Sequence, residues 1–179
     1  MPHSFQEVVE AFYQNLYRFA LSLCRCNDQA WDLTQETFLR WAKKRSSIRS
    51  QAATKSWLYT TLYREFLKSV KLSSRCESLD HENADETTHA IDGDQIRSAE
   101  AQDVLNELMR LKDGYRQVVS LYFLESYSYK EISEILNIPI GTVMSRLARG
   151  KEMLKESLSR PARSANVLPF TGEQRRNYG

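Results

Sequence analysis

The chain has 179 residues, 41% of them hydrophobic and 27% charged, with a net charge of +2, enough apolar material for one compact domain or two small ones. Six glycines and four prolines leave few of the turn signals that bound strands. No run approaches the ~18 apolar residues of a membrane helix, and the first residues lack a signal peptide's basic start and long apolar centre. These exclusions point to an all-α protein of the cytoplasm with no membrane insertion.

The charge is unevenly spread. Residues 1–75 hold 12 Lys and Arg against 6 Asp and Glu, residues 76–100 hold 1 against 8, residues 101–158 balance at 8 against 8, and residues 159–179 hold 4 against 1. A basic block, an acidic block, a neutral block and a basic tail suggest two small helical domains, at 1–74 and 98–158, with a flexible acidic linker at 75–97 and a disordered tail at 159–179.

In chain order, Ser4 opens a capping box with Glu7. Phe5, Val8, Phe12, Leu16, Phe19 and Leu23 then recur every three or four residues, which predicts a long helix with one buried face. Asn27-Asp28 breaks the pattern and introduces a second helix over about 29–44. KKRSSIRSQAATKS reads as a loop. A third helix is predicted from about Trp57 to Leu72, with Leu58, Leu62 and Phe66 on its apolar stripe. The acidic segment CESLDHENADETTHAIDGDQ has almost no large apolar groups and buries too little surface to offset the entropy of ordering. Periodicity returns at Val104, Leu108 and Leu111, and again at Val118, Leu121 and Tyr122. Ser128 and Glu131 form a second capping box, with Ile132, Ile135 and Leu136 facing inward. Asn137 suits a left-handed turn and Pro139 the start of a new helix.

The last helix, from Ile140 to Leu158, carries two faces. Val143, Leu147 and Leu154 share one with Gly150, whose missing side chain permits close packing. Thr142, Ser145, Arg146 and Arg149 fall at offsets of three and four on the other, with Lys151 nearby in sequence. Two short helices with such a second face make a helix-turn-helix. An arginine fork suits guanine O6 and N7 or a phosphate. On spacing alone a plain solvated face fits as well.

These residues also carry a resemblance. SYKEISEILNIPIGTVMSRLARGKEML is similar to region 4 of extracytoplasmic-function sigma factors, the small bacterial initiation factors of RNA polymerase. Ser128, Tyr129, Glu131, Ile132, Leu136, Pro139, Gly141, Thr142, Val143, Ser145, Arg146, Leu147 and Arg149 match the family pattern. Ser133, Asn137 and Gly150 stand where it usually has Ala, Gly and Ala. NDQAWDLTQETFLRWAKK resembles region 2 of the same family, through Asp32, Leu33, Gln35, Glu36, Thr37, Phe38 and Leu39. SWLYTTLYREFLKSVK resembles the next helix more weakly. There Trp57 and Leu58 match, but Arg64 replaces the usual Asn and Lys68 the usual Asp.

The resemblance implies that Asp32, Gln35, Glu36 and Leu39 dock on core RNA polymerase. It implies that Thr142, Ser145, Arg146, Arg149 and Lys151 read an upstream promoter element. Trp57, Tyr59, Tyr63, Arg64 and Lys68 would meet the melted downstream element, where aromatics stack on bases and cations hold the backbone. Some of those aromatics must be core, Trp57 first among the candidates. The loop Arg45 to Ser56 corresponds to the family's base-capturing loop. Promoter DNA, core polymerase and an anti-sigma protein are the implied partners. The acidic linker would run through a positively charged channel of the polymerase. A helix-turn-helix repressor or activator acting without polymerase is the rival from another class.

Cys24, Cys26 and Cys76, with three histidines, raise the question of zinc. Cysteines two apart on a helix point to nearly opposite sides, and the ligand spacing of a zinc site is missing. Cys24 reads better as a small core residue. Without a nucleophile–base pair, glycine-rich phosphate loop or metal motif in the sequence, no catalytic residue, metal or cofactor is assigned, and the protein is read as a non-enzyme.

Overall fold

The structure is a computed structural model that describes residues 4–48, 50–76 and 99–159. The described residues form seven α-helices and no strand. These are α1 (Phe5–Cys24), α2 (Asn27–Lys44), α3 (Gln51–Cys76), α4 (Ala99–Arg110), α5 (Asp113–Val119), α6 (Tyr129–Leu136) and α7 (Ile140–Ser159). A 3₁₀ turn follows α2 at Arg45–Ser47, and a π-helical turn continues α5 over Ser120–Leu124. Almost all of the acidic linker and of the basic tail lies outside the described residues.

Helices α1–α3 make one bundle. Of the predicted stripe, Val8, Phe12, Leu16, Phe19 and Leu23 are buried, against Leu33, Phe38 and Trp41 of α2 and Leu58 and Leu62 of α3, whereas Phe5, in the first turn of the helix, is exposed. Ser4 N–H donates to Glu7 Oε2 at 3.0 Å to start α1. Arg25, in the left-handed region at φ 55°, ends it. The third helix begins six residues earlier than its periodicity predicts and shortens the expected loop to a few residues. The reason is a cap: Ser50 Oγ accepts from Ala53 N–H at 3.2 Å and its carbonyl from Thr54 N–H at 2.9 Å, ahead of the good helix formers Ala52 and Ala53.

Helices α4–α7 make the second bundle around Leu108, Leu111, Val118, Leu121, Ile132, Ile135, Val143 and Leu147. Val104, expected inside, is exposed. Gly150 is buried where α7 crosses α5, and a Cβ there would lie 2.6 Å from Val119 Cγ2 and 3.5 Å from Tyr115 Cβ. Gly150→Ala therefore gains about 1 kcal/mol of helix propensity but forces the stiff Val119 side chain aside at about 1–3 kcal/mol. The expected net is a destabilisation of about 1 kcal/mol, seen as a lower urea midpoint and relieved when Val119→Ala is added.

The two bundles pack on one another, α3 against α6 and α1 against α5 and the π turn. That contact explains burial the sequence pattern does not predict. At the end of α1 the consecutive residues Ala20, Leu21, Ser22 and Leu23 are all buried, because α1 serves both bundles there. Arg116 of α5 is fully buried and reaches across: its Nε donates to the Ser22 carbonyl, while Nη1 donates to Leu111 O at 2.5 Å and Nη2 to Asp113 Oδ1 at 2.6 Å.

Candidate nucleic-acid interface

The helix-turn-helix is assembled from α6 and α7. Ser128 caps α6: its amide donates to Glu131 Oε2 at 2.8 Å and its hydroxyl to the same oxygen at 2.7 Å. Those two donors, the hydroxyl first, hold the Glu131 carboxyl below its usual range. Asn137, at φ 52° and ψ 49°, ends α6 in the left-handed conformation its side chain tolerates. Ser133 does more than replace an alanine, since its hydroxyl donates to Ile138 O at 2.6 Å and ties the turn to α6. The Pro139 carbonyl then accepts from Thr142 and Val143 N–H at 2.9 and 3.1 Å, which launches α7.

Thr142, Ser145, Arg146 and Arg149 come together on one side of α7. With Lys112, Gly114 and Tyr115 at the start of α5 they line an open cleft of about 320 Å³. Three cationic side chains face this cleft, and no acidic one lines it. The Arg146 guanidinium lies against Gly114: a Cβ on that glycine would sit 3.2 Å from Arg146 Cζ. Arg149 is exposed, whereas Arg146 is half-buried. Ser145 turns its hydroxyl to its own backbone, donating to Thr142 O at 3.1 Å. Lys151 does not join the group. Five residues beyond Arg146 it points elsewhere, with Nζ 5.9 Å from the centroid of the Phe123 ring. Lys112, Gly114 and Tyr115 escaped the sequence reading because α5 meets α7 only in the folded bundle. Lys112-Asp113-Gly114 looks like an ordinary helix start.

The residues of α3 are divided. Arg64 and Lys68 are exposed, and Lys68 is paired with Glu65 at 2.7 Å. Trp57, the first candidate for the core, is half-buried and packs against the core from its edge. Tyr59 is the more deeply placed: it is fully buried between Phe19 (ring centroids 5.4 Å apart) and Tyr127 of the second bundle (5.2 Å, edge to face). Tyr63 is buried too. Burial pushes its hydroxyl up, and the positive charge of Arg146 opposes that shift. In this arrangement neither tyrosine offers a free ring to a base.

On α2, Asp32, Gln35 and Leu39 are exposed and Glu36 is half-exposed, all on the face away from α1. Glu36 accepts from Arg40 Nε at 2.6 Å, and Arg40 also reaches Glu65 of α3 at 3.2 Å. Leu39, at 55% exposure, and Trp31, at 48%, are large apolar side chains left exposed on the same helix as these acids. The sequence reading passed over Trp31, although it lies two turns before Leu39.

Cys24 packs against the core of the first bundle and its Sγ donates to Ala20 O at 3.2 Å; burial pushes the thiol up. Cys26 is half-buried. Cys76 falls within α3. Among the described residues no cluster of three or more His, Cys, Asp or Glu is placed to hold a metal ion. No described helix is long and apolar enough to cross a membrane.

A helix-turn-helix with an arginine-lined cleft in the α4–α7 bundle, beside an α1–α3 bundle with exposed acidic and apolar side chains on α2, defines a two-part helical DNA-binding protein. Residues 8–76 match Sigma-70 region 2 and residues 101–154 match Sigma-70, region 4. Between them these regions cover more than half of the chain, in the family's order. The chain is 28% identical over 166 residues to the ECF RNA polymerase sigma factor SigW of Bacillus subtilis, covering 87% of this chain and 89% of that one. It is 29% identical over 159 residues to SigM of the same organism, covering 86% and 94%. Among solved structures it is similar to the sigma factor RpoE of Bartonella quintana, in complex with the anti-sigma factor NepR. There the TM-score is 0.71 at 28% identity, over 86% of this chain and 96% of that one. The protein belongs to the sigma-70 family, in its extracytoplasmic-function group of RNA polymerase sigma factors. A repressor or activator working without polymerase finds no support in these likenesses.

Proposed function

We propose that the chain binds core RNA polymerase through the exposed face of α2, meets the melted downstream element of a promoter through α3, and reads the upstream element through α7. The units that do this are residues 1–74 and 98–158. Residues 75–97 join them and 159–179 follow as a tail. The chain works where the polymerase works, in the cytoplasm, supplies no catalytic group of its own, and is held in check by an anti-sigma protein, as its structural neighbour is bound by one. The observation that carries this proposal is the pairing of the two matched regions in one chain. Each presents an exposed face of the chemistry its task needs: Asp32, Glu36, Leu39 and Trp31 on α2, and Arg146 and Arg149 on α7.

Run-off transcription with core polymerase, with and without the chain, tests it directly: a specific transcript should appear only when the chain is added. Asp32→Ala combined with Glu36→Ala should weaken binding to core polymerase by about tenfold, or roughly 1.4 kcal/mol. Helical content should not change, because the Glu36–Arg40 pair is a surface contact worth at most about 1 kcal/mol. Unaltered capture of core polymerase by the double variant would remove α2 as the docking face.

A further inference from the structure

The buried stripe of α7 fixes which of its side chains a groove of DNA would meet. Val143, Leu147 and Gly150 are buried toward the rest of the second bundle. At about 100° per residue, the opposite side of the helix carries Gly141, Met144, Ser145, Ala148 and Arg149, and all five are exposed. A Cβ added at Gly141 would meet nothing within 4 Å, so this side is open. Gly141, Ser145 and Ala148 are small, and Met144 stands up from among them. Met144 is 53% exposed, and Ile140, one turn before it on the same line, is 48% exposed. The outward side of the recognition helix thus bears a short apolar ridge.

Its surroundings point to its occupant. Residues 140–151 carry Arg146, Arg149 and Lys151 and no acid. Met144 shares its side of the helix with Arg149, which lines the cationic cleft. A ligand seated there must therefore be anionic along its edge and apolar at one point. The major groove of DNA meets both needs, with phosphates along its walls and one apolar group on its floor, the C5-methyl of thymine. The other base edges offer acceptors or amino donors, which a thioether leaves unpaired at a cost. An unbranched methionine also adapts to the position of the methyl better than a branched side chain would. From Met144 to Arg149 the helix advances about 7.5 Å, or roughly two base steps, so one site can serve both residues.

We infer that Met144, flanked by Ile140, is a specificity-determining residue that packs on the C5-methyl of a thymine in the upstream element and selects a T·A pair there. The inference rests on the reading of the upstream element by α7 proposed above. The arginines recognise charge and hydrogen-bonding groups. Met144 adds a discrimination they do not make, between thymine and a base with the same hydrogen-bonding edge but no methyl.

The test removes the methyl from the DNA and the thioether from the protein, singly and together. Holoenzyme made from the full chain and core RNA polymerase first selects duplexes from a pool with a randomised window of promoter length. The upstream sequence enriched by wild type is then remade with deoxyuridine in place of thymine, one position at a time. Deoxyuridine keeps every hydrogen-bonding group of thymine and lacks only the C5-methyl. At one position this exchange should weaken binding of the wild-type holoenzyme by about threefold to fivefold, the worth of one buried methyl. Met144→Ala should lose a similar factor on the thymine duplex, show no further loss with deoxyuridine, and cease to enrich thymine at that position. Met144→Leu should restore the sensitivity. Met144 is exposed and alanine is a good helix former, so the alanine variant keeps the fold. A wild type indifferent to deoxyuridine at every upstream position, or an alanine variant as sensitive as wild type, would overturn the inference. A Met144→Ala chain that keeps its thymine preference but captures core polymerase less well would do the same and make the ridge a protein contact. If Arg146→Ala and Arg149→Ala also leave the enriched upstream sequence and its binding unchanged, the reading of α7 as the upstream-element helix fails as well. If the arginines matter and the methyl does not, that reading stands and only the role of Met144 is struck.

Discussion

Arg116→Met is expected to destabilise the folded chain by about 3 kcal/mol, the scale of removing one partner from a buried charged network. Arg116 is fully buried, and desolvation, followed by the neighbouring Arg25, pushes its pKa down while Asp113 pulls it back. Methionine fills much of the same volume but donates nothing. The Leu111 carbonyl would keep Arg25 as its donor, whereas the Ser22 carbonyl would lose Arg116. Urea denaturation should show a fall in midpoint with little change in slope. Arg116→Lys should recover part of the loss, since one ammonium cannot reach Ser22, Leu111 and Asp113 together. A midpoint equal to wild type for the methionine variant would mean that the network adds nothing to stability.

On function the largest effects are expected at α7. Arg146→Ala and Arg149→Ala should each weaken binding of the holoenzyme to upstream-element DNA by about 1–3 kcal/mol where a base contact is lost. A lost phosphate contact would instead lower the salt slope by about one. The geometry separates the two. Arg146 is aligned by Gly114 beneath its guanidinium, which suits a directed contact to a base edge. Arg149 is exposed at the rim, which suits the backbone. Binding measured over a series of salt concentrations tells them apart, with run-off transcription as the functional readout. Lys151→Ala is the control: its side chain leans over Phe123, away from the cleft, and its loss should change little. Wild-type promoter binding by both arginine variants would take the recognition face away from this side of α7.

Much of this was legible because helical spacing and capping are local properties. Val8 to Leu23, Leu58 and Leu62, Ile132 to Leu136, and Val143 and Leu147 are buried where a period of 3.6 puts them. Ser128 caps with Glu131 as its spacing implies. The arginines of α7 lie together for the same reason. What escaped depends on one bundle meeting the other. Tyr59 looked like an exposed aromatic because the α3 stripe was read against one core, and the second core that buries it comes from residues nearly seventy positions away. Leu21 and Ser22 fell off the α1 stripe for the same reason. Arg116 carries no sequence mark, since an arginine next to Asp113 in a short helix has every appearance of a surface residue. The early start of α3 was there to be read in Ser50-Gln51-Ala52-Ala53, but the basic and polar composition around it masked the cap.

The double duty of α1 bears on how such chains diverge and how they can be recombined. Its last turns answer at once to α2 and α3 on one side and to Arg116 and the π turn on the other. A substitution at Leu21 or Leu23 is therefore screened by two sets of neighbours, and these positions should drift more slowly than those near Phe5. A chimera that takes its second bundle from SigW or another relative inherits a seam made for a different α1. Such grafts should express best when the segment from Ala20 to Arg25 travels with the incoming bundle, so the natural cut for exchanging parts lies inside the first helix and not at the boundary between the two matched regions.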